Sequence, residues 1–141
     1  MSKIYIAVMM FLCCNIVSAY YTGYAEYGLN HTLAEQVLNA TGSHIEVTNV
    51  VFSNSMCVSM YSGGCDAANF EYWDNGRTRI TISMRDVTYD DMVFFMWHEI
   101  RHYQQWHLQP LINGFTEEQE QDADEYAEFM INGRYVTRHT D

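Results

Sequence analysis

The chain has 141 residues, 48% of them hydrophobic and 15% aromatic, and a formal charge of −11 from 18 acidic and 7 basic side chains. That length suits one domain and leaves little for a second. So acidic a surface repels phosphate backbones and anionic bilayers, which excludes nucleic acid and membrane surfaces from the expected partners; acidity of this kind serves solubility first.

Residues 1–19 carry the pattern of an export signal. Lys3 is a short basic start, Ile4 to Leu12 an apolar stretch, and Val17-Ser18-Ala19 a small-residue cleavage site. The apolar stretch is shorter than a bilayer-spanning helix requires. Cleavage after Ala19 would leave one domain over 20–141, secreted or periplasmic, with no stable membrane association and no lysine. Cys13 and Cys14 would leave with the signal. Cys57 and Cys65 remain, and an even pair in an exported chain is expected to form a disulfide.

The tyrosine-rich start, Tyr20 to Gly28, is expected to be an extended segment packed on the domain rather than a binding groove. Asn30 reads as the N-cap of a helix running to about Ala40, with Leu33, Ala34, Val37 and Leu38 on one face and Gly42 as the stop. From Ile45 to Met84 the chain reads as sheet. Its runs are Ile45 to Phe52, Met56 to Tyr61, Phe70 to Trp73 and Arg77 to Met84, and Asn75-Gly76 signals a hairpin between the last two. In the final run Thr78, Ile80, Ile82 and Met84 alternate with polar residues, so one face should be buried.

Thr88 and Asp91 approximate a capping box that opens a helix over roughly 89–108, which Pro110 ends. Within it stands Trp97-His98-Glu99-Ile100-Arg101-His102, an H-E-x-x-H motif. On a helix His98 and His102 are one turn apart on one face, where two imidazoles can bind the same zinc ion. Glu99, the next position around, can reach a water on that ion without competing for it, as a general base must. Met92, Val93, Phe94, Phe95, Met96 and Trp97 precede His98 and are apolar all round, so the turn should be buried, and buried His and Glu side chains need partners. His107 falls off the ligand face. Residues 111–115 read as a turn, Thr116 and Gln119 as a second capping box, and Gly133 as the stop of a final helix. On that helix Glu120, Asp124, Ala127 and Ile131 follow one face. Tyr135 and His139, in the tail, have no spacing that assigns them a role.

With Glu120-Gln121-Asp122-Ala123-Asp124 downstream, H-E-I-R-H resembles the gluzincin metallopeptidases over about the last third of the chain. The resemblance implies a minimal zincin domain, α+β, with a small mostly antiparallel sheet, an active-site helix and a C-terminal ligand-bearing helix. It implies Zn2+ held by His98, His102 and Glu120, with Asp124 orienting a ligand histidine; Asp122 or Asp124 remains an alternative third ligand. It also implies that strand 77–84 or its neighbour binds extended substrate through its edge. The expected function is hydrolysis of peptide bonds in a peptide or protein substrate. The alternative is an exported, non-catalytic zinc-binding or protein-interaction module.

Overall fold

The computed structural model describes residues 23–25, 30–42, 49–58, 64–109 and 114–133. The signal segment, most of the tyrosine-rich start, Tyr135 and His139 lie outside them. The elements run β1 (Gly23–Ala25), α1 (His31–Thr41), β2 (Asn49–Ser53), β3 (Ala68–Tyr72), β4 (Thr78–Ser83), α2 (Tyr89–Leu108) and α3 (Glu117–Asn132). The class is α+β: three helices on a small mixed sheet.

The strand order is β1-β2-β4-β3. β2 pairs in parallel with β1 on one side and β4 on the other, and only β3 and β4 are antiparallel. This corrects the expectation of a mostly antiparallel sheet. The reason lies in the β2–β3 connection, where Met56 to Val58 form no strand and residues 59–61 lie outside the described residues. Here Ser83 Oγ donates to the Ser55 carbonyl at 2.7 Å, Ser55 Oγ to the Cys57 carbonyl at 2.9 Å, and Val58 N–H to the Asp66 carbonyl at 2.9 Å. Cys57 and Cys65, with Cα atoms 5.0 Å apart, are joined as a disulfide. The described ends of the connection are thus tied to each other and to β4, and β2 pairs with β4 instead of forming a hairpin with β3.

Local signals account for the rest. Asp74-Asn75-Gly76 closes the β3–β4 hairpin: Gly76 N–H donates to the Trp73 carbonyl and Trp73 N–H to the Arg77 carbonyl, both at 2.9 Å, while Gly76 takes φ 80°. That is a three-residue loop ending in a left-handed residue, which glycine adopts without a Cβ penalty. Asn30 Oδ1 accepts from Leu33 N–H at 3.1 Å and caps α1. Thr88 with Asp91 caps α2, Thr116 with Gln119 caps α3, and Gly133 ends α3 at φ 68°.

β4 is an interior strand, with Ile80 and Ile82 fully buried beside Phe52 of β2. Met92, Met96 and Ile100 of α2 close over them, and Val37 and Leu38 of α1 complete the layer. Two expectations about burial need adjusting. Met92, Met96 and Trp97 are buried, but Val93, Phe94 and Phe95 are only half-buried, since α2 is covered by the sheet, α1 and α3 on part of its circumference. On α3 the buried stripe is Ala123 and Ala127 with Met130 packed beside it; Ile131 is exposed. Those two alanines, with no exposed surface, let α3 approach α2 closely. No described helix is long and apolar enough to cross a membrane.

Candidate metal centre

α2 brings His98 and His102 onto one face with ring centroids 4.5 Å apart, and the tight α2–α3 contact sets Glu120, in the first turn of α3, across from them. Glu120 Oε2 is 3.2 Å from His98 Nε2 and 3.3 Å from His102 Nε2. Ligands about 2.0–2.1 Å from a tetrahedral ion stand about 3.3 Å from one another, so these separations match the edges of such a site. His98, His102 and Glu120 form a group that could hold a metal ion.

Hydrogen bonding behind the rings strengthens the fit. His98 Nδ1 is 2.8 Å from Asp124 Oδ1 and His102 Nδ1 is 2.9 Å from Gln105 Oε1. A carboxylate and an amide oxygen only accept, so each Nδ1 carries the hydrogen. With no further proton on the rings, each Nε2 turns a lone pair toward a carboxylate that also only accepts. Three electron pairs converge with no donor among them, an arrangement that is unfavourable unless a cation, a metal ion or protons added to the rings, lies between them.

The remaining carboxylates fall into distinct roles. Asp122 accepts from Arg101 Nε at 2.7 Å, Arg101 Nη2 at 3.3 Å and Gln105 Nε2 at 2.8 Å. Asp124 is engaged by His98 Nδ1. Neither competes with Glu120 for the position facing both Nε2 atoms. When the rings carry added protons, hydrogen bonds from His102 and then from His98 hold the Glu120 carboxyl well below its ordinary range, against the opposing effect of partial burial. Glu99, only 5% exposed, is pushed the other way, up to about 8. Burial is the largest cause; the negative charges of Glu120 and Asp66 add to it, and His102 opposes it.

Three contributors escaped the sequence reading. Gln105 sits three positions beyond His102, a helical spacing that could have marked it. Phe115 stacks on the His102 ring with centroids 3.8 Å apart and planes at 25°, which restrains the ring. Asp66 follows the disulfide and reaches Glu99 electrostatically, and no local pattern announces it. His107, exposed and stacked on Tyr103 at 5.9 Å, lies outside the group.

Fold and site together define an α+β domain with a His/His/Glu group suited to a metal ion. No protein-family model matches the chain, and neither does any curated protein or solved structure.

Proposed function

We propose that the protein is an exported zinc-dependent metallopeptidase of the gluzincin kind. One observation carries the reading: two imidazole nitrogens from one turn of α2 converge with a carboxylate of α3, and that same turn of α2 carries a buried glutamate whose proton affinity is raised to about 8. Zn2+ suits two imidazoles and a carboxylate, and when bound it polarises a carbonyl and brings the pKa of a water at its open position to about 7. Glu99 takes the proton of the attacking water and delivers it to the leaving amine nitrogen. A carboxyl that ionises near neutrality is matched to both transfers. Asp124 keeps the His98 lone pair aimed at the centre, and Ala123 and Ala127 keep Glu120 within reach.

β4 has partners on both sides, so it cannot receive a substrate strand; β3 is an outer strand of the sheet and can. Asp66, two residues before β3, adds its charge to the raising of Glu99.

The test is zinc content and peptidase activity of the purified protein beside His98→Ala, Glu120→Ala and Glu99→Gln. One zinc per chain in wild type and Glu99→Gln, lost in the other two, with turnover absent from Glu99→Gln, supports the proposal. A wild type that takes up no zinc sinks it. Zinc without turnover on any peptide pool would leave the non-catalytic zinc-binding module.

A further inference from the structure

We infer that Gln105 is a positioning residue of the metal centre: its amide decides which nitrogen of His102 carries the hydrogen, and Asp122 and Arg101 decide the orientation of that amide. The inference rests on the metal-centre reading above. A primary amide has two ends of nearly equal size, and turned by half it would offer His102 its NH2 group instead of its oxygen. Here it cannot turn. Both hydrogens of Gln105 Nε2 are committed, one to the Gln119 carbonyl at 2.9 Å and one to Asp122 Oδ2 at 2.8 Å. Reversal would set the amide oxygen against two acceptors at these distances, a repulsive arrangement in a part-buried place. Gln105 Oε1 is therefore the only end left for His102 Nδ1.

Asp122 in turn is fixed by the Arg101 fork, and Arg101 lies over the Tyr126 ring at 5.2 Å from its centroid. The relay thus runs from an aromatic ring on α3, through a guanidinium on α2, back to a carboxylate on α3, and then to the amide. It ends with the Nε2 lone pair of His102 pointing at Glu120. The two histidines are backed unequally. His98 leans on a carboxylate whose side chain is 58% exposed, whereas His102 leans on a neutral, buried amide. The buried member is held without adding net charge beside the metal, because Asp122 and Arg101 neutralise each other.

Two variants and two readouts test this. Gln105→Met keeps length but removes the acceptor. The paired exchange Gln105→Glu with Asp122→Asn returns an acceptor to His102 and gives position 122 an amide that can donate to it. Zn2+ affinity is measured by competition with a chromophoric chelator, and the His102 tautomer by imidazole 15N NMR on zinc-free protein at mildly alkaline pH. Gln105→Met should bind Zn2+ about 10- to 100-fold more weakly, as loss of a hydrogen-bond partner behind a ligand histidine does. It should also lose the Nδ1–H signature at His102 and keep it at His98. The paired exchange should restore the Nδ1–H signature and part of the affinity, since its second carboxylate oxygen replaces the donor that Gln105 gives the Gln119 carbonyl. Wild-type affinity and an unchanged His102 tautomer in Gln105→Met overturn the inference while leaving the metal centre intact. Should Gln105→Met fail to fold, the folded paired exchange decides, and an Nε2–H tautomer at His102 there overturns it. Failure of the wild type to bind Zn2+ removes the metal centre and this role with it.

Discussion

Along one side of α2, Met92, Met96 and Ile100 share an apolar core with Phe52, Ile80 and Ile82. Along the other, His98, Arg101, His102 and Gln105 meet Glu120, Asp122 and Asp124 of α3 through directed contacts of 2.7 to 3.3 Å. The first side asks only for apolar volume, because burial is non-directional. The second asks for particular atoms at particular places, since a polar group there that loses its partner is costly and finds no substitute. The two sides should therefore fail differently: damage to the first lowers stability, and damage to the second lowers metal affinity.

The largest stability loss belongs to the apolar side. Met96→Ala removes a side chain with no exposed surface from between sheet and helix. It should cost about 2–5 kcal/mol, read from the urea midpoint of the metal-free protein. The variant's remaining folded fraction should still bind Zn2+, and loss of affinity in that fraction would show that the two sides are not separable.

Glu99 belongs to neither side cleanly, being a carboxyl buried like a core residue. Its ordinary value of 4.5 rises to about 8 in the fold, so between these values the folded protein holds a proton that the unfolded chain has released. Stability of the metal-free protein should then fall as pH rises from 5 to 8. Glu120 is shifted the opposite way, and its contribution is lost only as pH falls below its ordinary range, outside this window. Glu99→Gln should remove Glu99's share of the slope and become more stable than wild type by a few kcal/mol at pH 8, though not at pH 5. Urea titrations in chelator at the two pH values give the answer, and parallel pH curves would mean Glu99 ionises normally. Bound metal should shrink the slope, because a nearby cation favours the ionised carboxylate.

Ala123 tests how closely the helices must approach. It lies fully buried between Glu120 and Asp124, and Ala123→Leu should cost about 1–3 kcal/mol through overpacking. Moving α3 outward also separates Asp124 from His98, so Zn2+ affinity should drop more than the stability loss alone would produce. Equal affinity in the folded protein would mean that α3 tolerates displacement.

What could be read in the sequence follows the same division between local and distant causes. Thr88 with Asp91, Thr116 with Gln119, and Asp74-Asn75-Gly76 act within a few residues, and the helices and hairpin they begin or close stand where the sequence places them. His98 and His102 share a face because of helical period alone. The parallel pairing of β2 with β4 was not legible, since it depends on the path of the chain after Ser53, and Met56 to Val58 read alike in sequence whether they pair as a strand or, as here, do not. Asp66 and Phe115 reach the site from connections whose paths only the tertiary structure determines. The assignment among Glu120, Asp122 and Asp124 was open for a related reason: all three are acidic residues on one helix, and what separates them is Arg101, Gln105 and the Nδ1 of His98 on another.

The smallest effect gives the sharpest comparison, because it sets two similar caps against each other. Thr88 Oγ1 accepts from Asp91 N–H and Thr116 Oγ1 from Gln119 N–H, both at 3.2 Å, and in each box the third residue bonds back to the cap. Thr88→Ala and Thr116→Ala should each cost about 1 kcal/mol. Their consequences for metal should differ. Thr88 starts α2 ten residues before His98, and the buried Met92 and Met96 hold the intervening turns whether or not the cap is present. Thr116 starts α3, and the Glu120 N–H donates to the Thr116 carbonyl at 2.9 Å, so the carboxylate that faces the two histidines stands on the first turn that the cap secures. Fraying there moves Glu120 itself, with Ala123 the nearest buried anchor. Thr116→Ala should weaken Zn2+ binding while Thr88→Ala leaves it near wild type, at matched losses in urea midpoint. Equal binding by the two would show that Glu120 is held by its contacts with the histidines rather than by its own helix.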